Sequence, residues 1–93
     1  MQDVFVKRVE TLNNMLKEQF PGAITAKVTG HHGAQINIPQ DVIDQFPELM
    51  ELHIKIKRLI VQAMETKKLA SFRYGMLEDG PAYVFIVGDH AWN

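Results

Sequence analysis

The chain contains no cysteine and a single serine. Without cysteine there is no disulfide, no thiolate nucleophile and no sulfur ligand for a metal, and a reducing compartment fits. The one serine, Ser71, lies within an alternating stretch. It is not on the strained strand-to-helix turn that exposes a serine nucleophile. No apolar run approaches the roughly 18 residues of a membrane helix. The opening Met1-Gln2-Asp3-Val4-Phe5-Val6-Lys7-Arg8 lacks the basic-then-apolar order of a secretory signal. A cytoplasmic location is the expectation. Neither sign of charge is in excess: ten Lys and Arg stand against eleven Asp and Glu, for a net charge of −1. Nucleic-acid-binding domains usually carry a clear basic surplus or patch. Gly75, Gly80 and Gly88 fit neither phosphate-binding fingerprint.

What is present describes one ordinary globular domain over residues 1–93, with 46% hydrophobic and 23% charged residues. A chain of this size buries roughly 60–65% of its unfolded surface. Pairing with a second copy is therefore a natural way to gain buried area.

Phe5, Val9, Leu12, Leu16 and Phe20 recur at helical spacing and predict a helix over about 3–19, capped by Asp3 and stopped by Pro21-Gly22. Two alternating strands follow, near 23–29 and 34–38. Between them stands Gly30-His31-His32-Gly33, whose glycines would supply the positive φ angles of a tight hairpin. A helical region spans about 40–67 in two parts, with the break at Phe46 and Pro47 in the first turn of the second part. Residues 52–57 also alternate like a strand. Leu49, Leu52, Ile56, Leu59, Ile60 and Ala63 nevertheless share one helical stripe, and the uninterrupted length favours helix. Strands near 69–77 and 82–88 flank an Asp79-Gly80-Pro81 turn, with Ala70, Phe72, Tyr74 and Met76 on one face. The last strand is apolar on both faces, as a strand that is central or covered on both sides would be. The order α-β-β-α-β-β implies an α+β two-layer sandwich, an antiparallel sheet of two hairpins packed by helices.

Gly33-Ala34-Gln35-Ile36-Asn37-Ile38-Pro39, followed by Val42 and Phe46, resembles the strand leading into a short helix in the swapped-hairpin DNA-binding domains of the AbrB and MazE type. The likeness covers residues 33–46. It departs where Gln40-Asp41 replaces a basic residue and where a later Gly-Asp turn is missing. It implies DNA binding only if residues 51–57 form a strand.

Four histidines (31, 32, 53 and 90) raise metal binding. A site needs three or four converging ligands. Adjacent residues in extended chain point apart, and no H-x-H or H-x-x-x-H spacing occurs. His31 and His32 then read as titratable turn residues, and no metal or cofactor is expected. Asp89-His90 could orient an imidazole for acid–base chemistry, but sequence neighbours seldom adopt that geometry. No enzyme is expected.

Lys55, Lys57, Arg58, Lys67, Lys68 and Arg73 cluster, which suits phosphates. Glu51 and Glu65 on the same helix face offset them. Thr25, Lys27, Thr29, Gln35 and Asn37 should form a polar sheet face, joined by Ser71 and Arg73. Phe72 and Tyr74 fall on the opposite side, so the face lacks rings for stacking bases. Val84 and Ile86 emerge on the polar side and Trp92 stands near the end, which favours association. The leading expectation is a non-enzymatic interaction or regulatory module, of the accessory kind found in bacteria and phages. It would bind another protein as a homodimer, through Lys27, Gln35, Asn37, Arg73, His31, His32 and Trp92. The alternative is nucleic-acid or nucleotide binding through Lys27 and Arg73, or through Lys55, Lys57 and Arg58.

Overall fold

A computed structural model describes residues 4–20, 24–66 and 69–88. Helix α1 (Val4–Gln19) buries Phe5, Val9, Leu12 and Leu16, the stripe its spacing dictates. Asp3 and Pro21-Gly22 lie outside the described residues. Strands β1 (Thr25–Val28) and β2 (Gly33–Asn37) form the first hairpin. Helix α2 (Gln40–Asp44) starts directly after Pro39. Helix α3 (Leu49–Met64) buries Leu52, Ile56, Leu59, Ile60, Ala63 and Met64. Strands β3 (Leu69–Leu77) and β4 (Gly80–Val87) form the second hairpin.

Residues 51–57 are helical, so the strand that a swapped-hairpin DNA-binding domain requires is absent there. Two smaller expectations are corrected. Pro47 precedes α3 instead of sitting in its first turn, because Glu48 is extended and is the residue that caps the helix. The longer connection lets Phe46 fold onto Phe20, ring centroids 6.2 Å apart. Leu49, the first residue of the helix, is consequently exposed rather than part of the buried stripe.

The sheet runs β1-β2-β4-β3, every neighbouring pair antiparallel. The hairpins join through β2 and β4, which makes β4 central, as its sequence suggests. Ala26, Ala34, Ile36, Tyr83, Phe85 and Val87 are buried with the helical stripes in one core. The helices cover this inner face only. The outer face carries Val84, half-buried, and Ile86, exposed, so β4 is not covered on both sides. A bulge between Leu69 and Ser71 also changes one assignment in β3. Phe72, Tyr74 and Leu69 pack on the core, while the exposed Ala70 is taken out of the alternation.

The Gly30–Gly33 turn divides its labour differently from the sequence expectation. Gly30 has φ 92°, but the second positive φ belongs to His32, at 54°. Gly33 is instead a position of close approach, where an added Cβ would lie 3.1 Å from the Thr29 carbonyl oxygen. Thr29 N–H donates to the Gly33 carbonyl (2.9 Å) and closes the turn. Gly33→Ala should therefore cost about 1–2 kcal/mol. His32→Gly relieves a left-handed backbone but loses ring packing, and should change stability by less than about 1 kcal/mol. Chemical denaturation of the two variants measures both.

Candidate functional site

Registers place Lys27, Gln35, Val84 and Arg73 side by side in one row across the outer face. Thr25, Asn37, Ala82 and Gly75 form the adjacent row. Four of the expected binding residues are thus brought together. They are not equally available. Gln35 donates a side-chain hydrogen bond to Asn37. Lys27 is paired with Asp79 in the β3–β4 turn at 3.3 Å, both side chains more than half exposed. Arg73 is exposed and has no ion-pair or hydrogen-bond partner among the described residues. Beside it opens a cleft of about 260 Å³ lined by Arg73, Tyr74, Gly75, Leu77 and Val84. The outer face is therefore polar over β1 and β2 and largely apolar over β4 and β3.

The two histidines do not belong to this row. They occupy the turn at the other end of the sheet, where Val87 N–H donates to the His32 carbonyl at 2.8 Å. The turn stacks their rings with centroids 4.0 Å apart, instead of pointing them to opposite sides. The His32 ring packs inward against Phe5 at 5.5 Å. Among the described residues no three His, Asp or Glu converge as a metal site. Trp92, Asp89, His90, Lys67 and Lys68 lie outside the described residues.

Among the described residues the basic segment does not assemble into one patch. Lys55 Nζ lies 4.9 Å from the centre of the Phe20 ring and Lys57 Nζ 6.0 Å from that of Phe72. They serve opposite flanks of α3, while Arg73 is on the far side of the sheet. Arg58 joins Ile54, Lys57, Val61 and Gln62 around a groove of about 390 Å³ on the outer side of α3.

Sequence reasoning missed the treatment of the two sheet edges. At the β1 edge, Asn13 of α1 donates its amide to the Ala26 carbonyl (2.9 Å) and accepts the Ala26 N–H (2.7 Å). That edge strand has four residues and is latched by a side chain. The β3 edge has nine residues and no such latch among the described residues. Its inner side carries Phe72 and Tyr74, half-buried, and Met76, 71% exposed. The signal for the latch was present in α1: Asn13 is a polar residue at helical spacing from Val9 and Leu16, beside the apolar stripe.

Behind β3, Tyr83 is fully buried in a cluster with His53, Phe72 and Tyr74, ring centroids 5.0–5.6 Å away. Its hydroxyl has no hydrogen-bond partner among the described residues. No family model, curated protein or solved structure matches this chain. No helix among the described residues is long and apolar enough to cross a membrane.

Burial, and next the neighbouring Tyr74, push the Tyr83 phenol up to about 12. The folded chain thus holds this proton more tightly than the unfolded chain. The stability so conferred is complete below the unfolded pKa near 10 and is lost as pH rises through the folded value. Wild type should lose roughly 2–3 kcal/mol through this group between those limits. Tyr83→Phe should lack that share of the alkaline loss and gain roughly 1 kcal/mol at neutral pH by removing the unsatisfied hydroxyl. Denaturation curves at a series of pH values compare the two.

Proposed function

We propose that this protein is a non-enzymatic interaction module of the regulatory kind, which binds another protein chain along the free edge of β3 and acts as a homodimer. The observation that carries this reading is the contrast between the two edges. Unpaired strand edges are templates for another strand, and folded proteins usually shorten, charge or cover them. The β1 edge is short and latched by Asn13. The β3 edge is long, uncovered among the described residues and bordered by exposed Met76 and Leu77. Strand addition supplies affinity through main-chain hydrogen bonds and specificity through alternate side chains.

The contact between copies falls on the outer stripe of α3. Met50 and Ile54 there are 62% and 47% exposed, and Val61 continues the stripe along the groove. Exposed apolar patches of this kind mark association surfaces. Nucleic-acid or nucleotide binding is the competing proposal. Among the described residues the exposed Arg73 and Arg58 favour it, but they stand apart, one on the outer face of the sheet and one on α3, while Lys27 is paired and Lys55 and Lys57 lie over rings on opposite flanks of α3.

Two measurements test the reading. Light scattering over a concentration series should give a dimer for wild type and a monomer for Ile54→Glu, with unchanged circular dichroism. A wild-type monomer at high concentration rejects the dimer. The capped peptide Thr-Val-Leu-Val-Gln-Val-Leu-Val-Thr, carried on a polyethylene-glycol tail, should bind with a Kd of about 1 mM, or −4 kcal/mol. It should slow hydrogen exchange of β3 amides. Unchanged β3 exchange at saturating peptide rejects the edge.

A further inference from the structure

We infer that the strand received by β3 carries a carboxylate, flanked two positions away by an aliphatic side chain. This rests on the edge-binding reading and specifies its partner. Arg73 is the fifth of the nine residues of β3, so it sits at the centre of the free edge. Its side chain belongs to the outer face, opposite Val84. The other cation of that row, Lys27, is already neutralised by Asp79. Arg73 has no such partner among the described residues, and its planar guanidinium matches a carboxylate in two-point contact.

The ground beside Arg73 is apolar. The cleft next to it is walled by Leu77 and Val84. It is left open at Gly75, where an added Cβ would find no atom within 4 Å. A strand laid along β3 presents every second side chain to this face, at intervals of about 6.5–7 Å. An acidic residue opposite Arg73 therefore places the side chain two positions on over the cleft. The intervening residues face Phe72, Tyr74 and Met76 on the inner side, which suits β-branched aliphatic residues.

A second copy of β3 fits this edge less well. Antiparallel pairing centred on Arg73 would set two guanidinium groups directly opposite each other, a destabilising like-charge pair. A phosphate chain fits less well too, since one unpaired cation beside an apolar cleft offers no track for a polyanion.

The test compares Thr-Val-Leu-Val-Glu-Val-Leu-Val-Thr with the glutamine peptide, both capped and carried on the same tail. At low salt wild type should bind the glutamate peptide about 5- to 10-fold more tightly. Added salt should shrink that preference. Arg73→Gln, at an exposed position, should abolish it without altering circular dichroism, and Arg73→Lys should restore part of it. Equal binding of the two peptides, with β3 amides still protected, overturns the carboxylate and leaves the edge reading standing. Loss of β3 protection with both peptides overturns both. A glutamate preference that survives in Arg73→Gln overturns the assignment to this residue. Displacement of the glutamate peptide by a short oligothymidylate, from wild type but not from Arg73→Gln, overturns it in favour of phosphate.

Discussion

Leu12 and Leu16 of α1, Ile56 and Ile60 of α3, and Ile36 and Phe85 of the sheet expose none of their surface and belong to one cluster. This seam of two helices on one sheet face is the constraint from which the other features follow. Among the described residues the helices cover one side of the four strands. The inner side chains of β4 can therefore be large and apolar, because a helical layer closes over them. The outer side carries no helix among the described residues. Thr25, Lys27, Gln35 and Asn37 suit that exposure over β1 and β2, whereas Leu77, Val84 and Ile86 do not suit it over β3 and β4.

The same placement of helices separates the two edges. Helix α1 packs along β1 closely enough for Asn13 to reach both backbone groups of Ala26, satisfying a donor and an acceptor that would otherwise be half-buried and unpaired. Helix α3 then lies over the other side of the core, with His53 against Tyr83 and Tyr74. Its flank meets β3 with His53 against Tyr74 and Lys57 over Phe72. Phe72 and Tyr74 are half-covered as a result, and the backbone edge beyond them is left outside. The uncovered β3 edge is what two helices of sixteen residues leave over after sealing the β1 side.

Periodicity made the layers legible before any coordinates. Phe5, Val9, Leu12 and Leu16 announced the buried stripe of α1. The alternation of Lys27, Gln35 and Asn37 announced the outer face, with Arg73 and Val84 correctly placed on it. Period alone does not carry strand order, because antiparallel hairpins with these patterns can join through more than one pair of strands. Without the order β1-β2-β4-β3 there was no way to know that β3 is an edge, or that Arg73 sits at its middle. The bulge that removes Ala70 from the inner face was equally hidden, since one extra residue leaves the later alternation intact. At the turn, sequence alone makes the two glycines equivalent sources of positive φ. Distinguishing Gly30 from Gly33 required the position of the Thr29 carbonyl. The pairing of Lys27 with Asp79 joins residues fifty-two positions apart, beyond what local pattern can supply.

Two non-glycine residues, His32 and Glu65, hold left-handed backbone at φ 54° and 55°. Such a conformation costs roughly 1–2 kcal/mol and persists where surroundings enforce it. Both are held by the first two turns of α1. Phe5 packs on the His32 ring, and Arg8 bonds the Met64 carbonyl at 2.6 Å and the Glu65 carboxylate at 3.1 Å. One strained corner turns β1 into β2 and the other ends α3 ahead of β3. Docking of α1 thus closes both corners at once, and its release would free both. The segment that seals the β1 edge is therefore also the one that holds the corner ending α3.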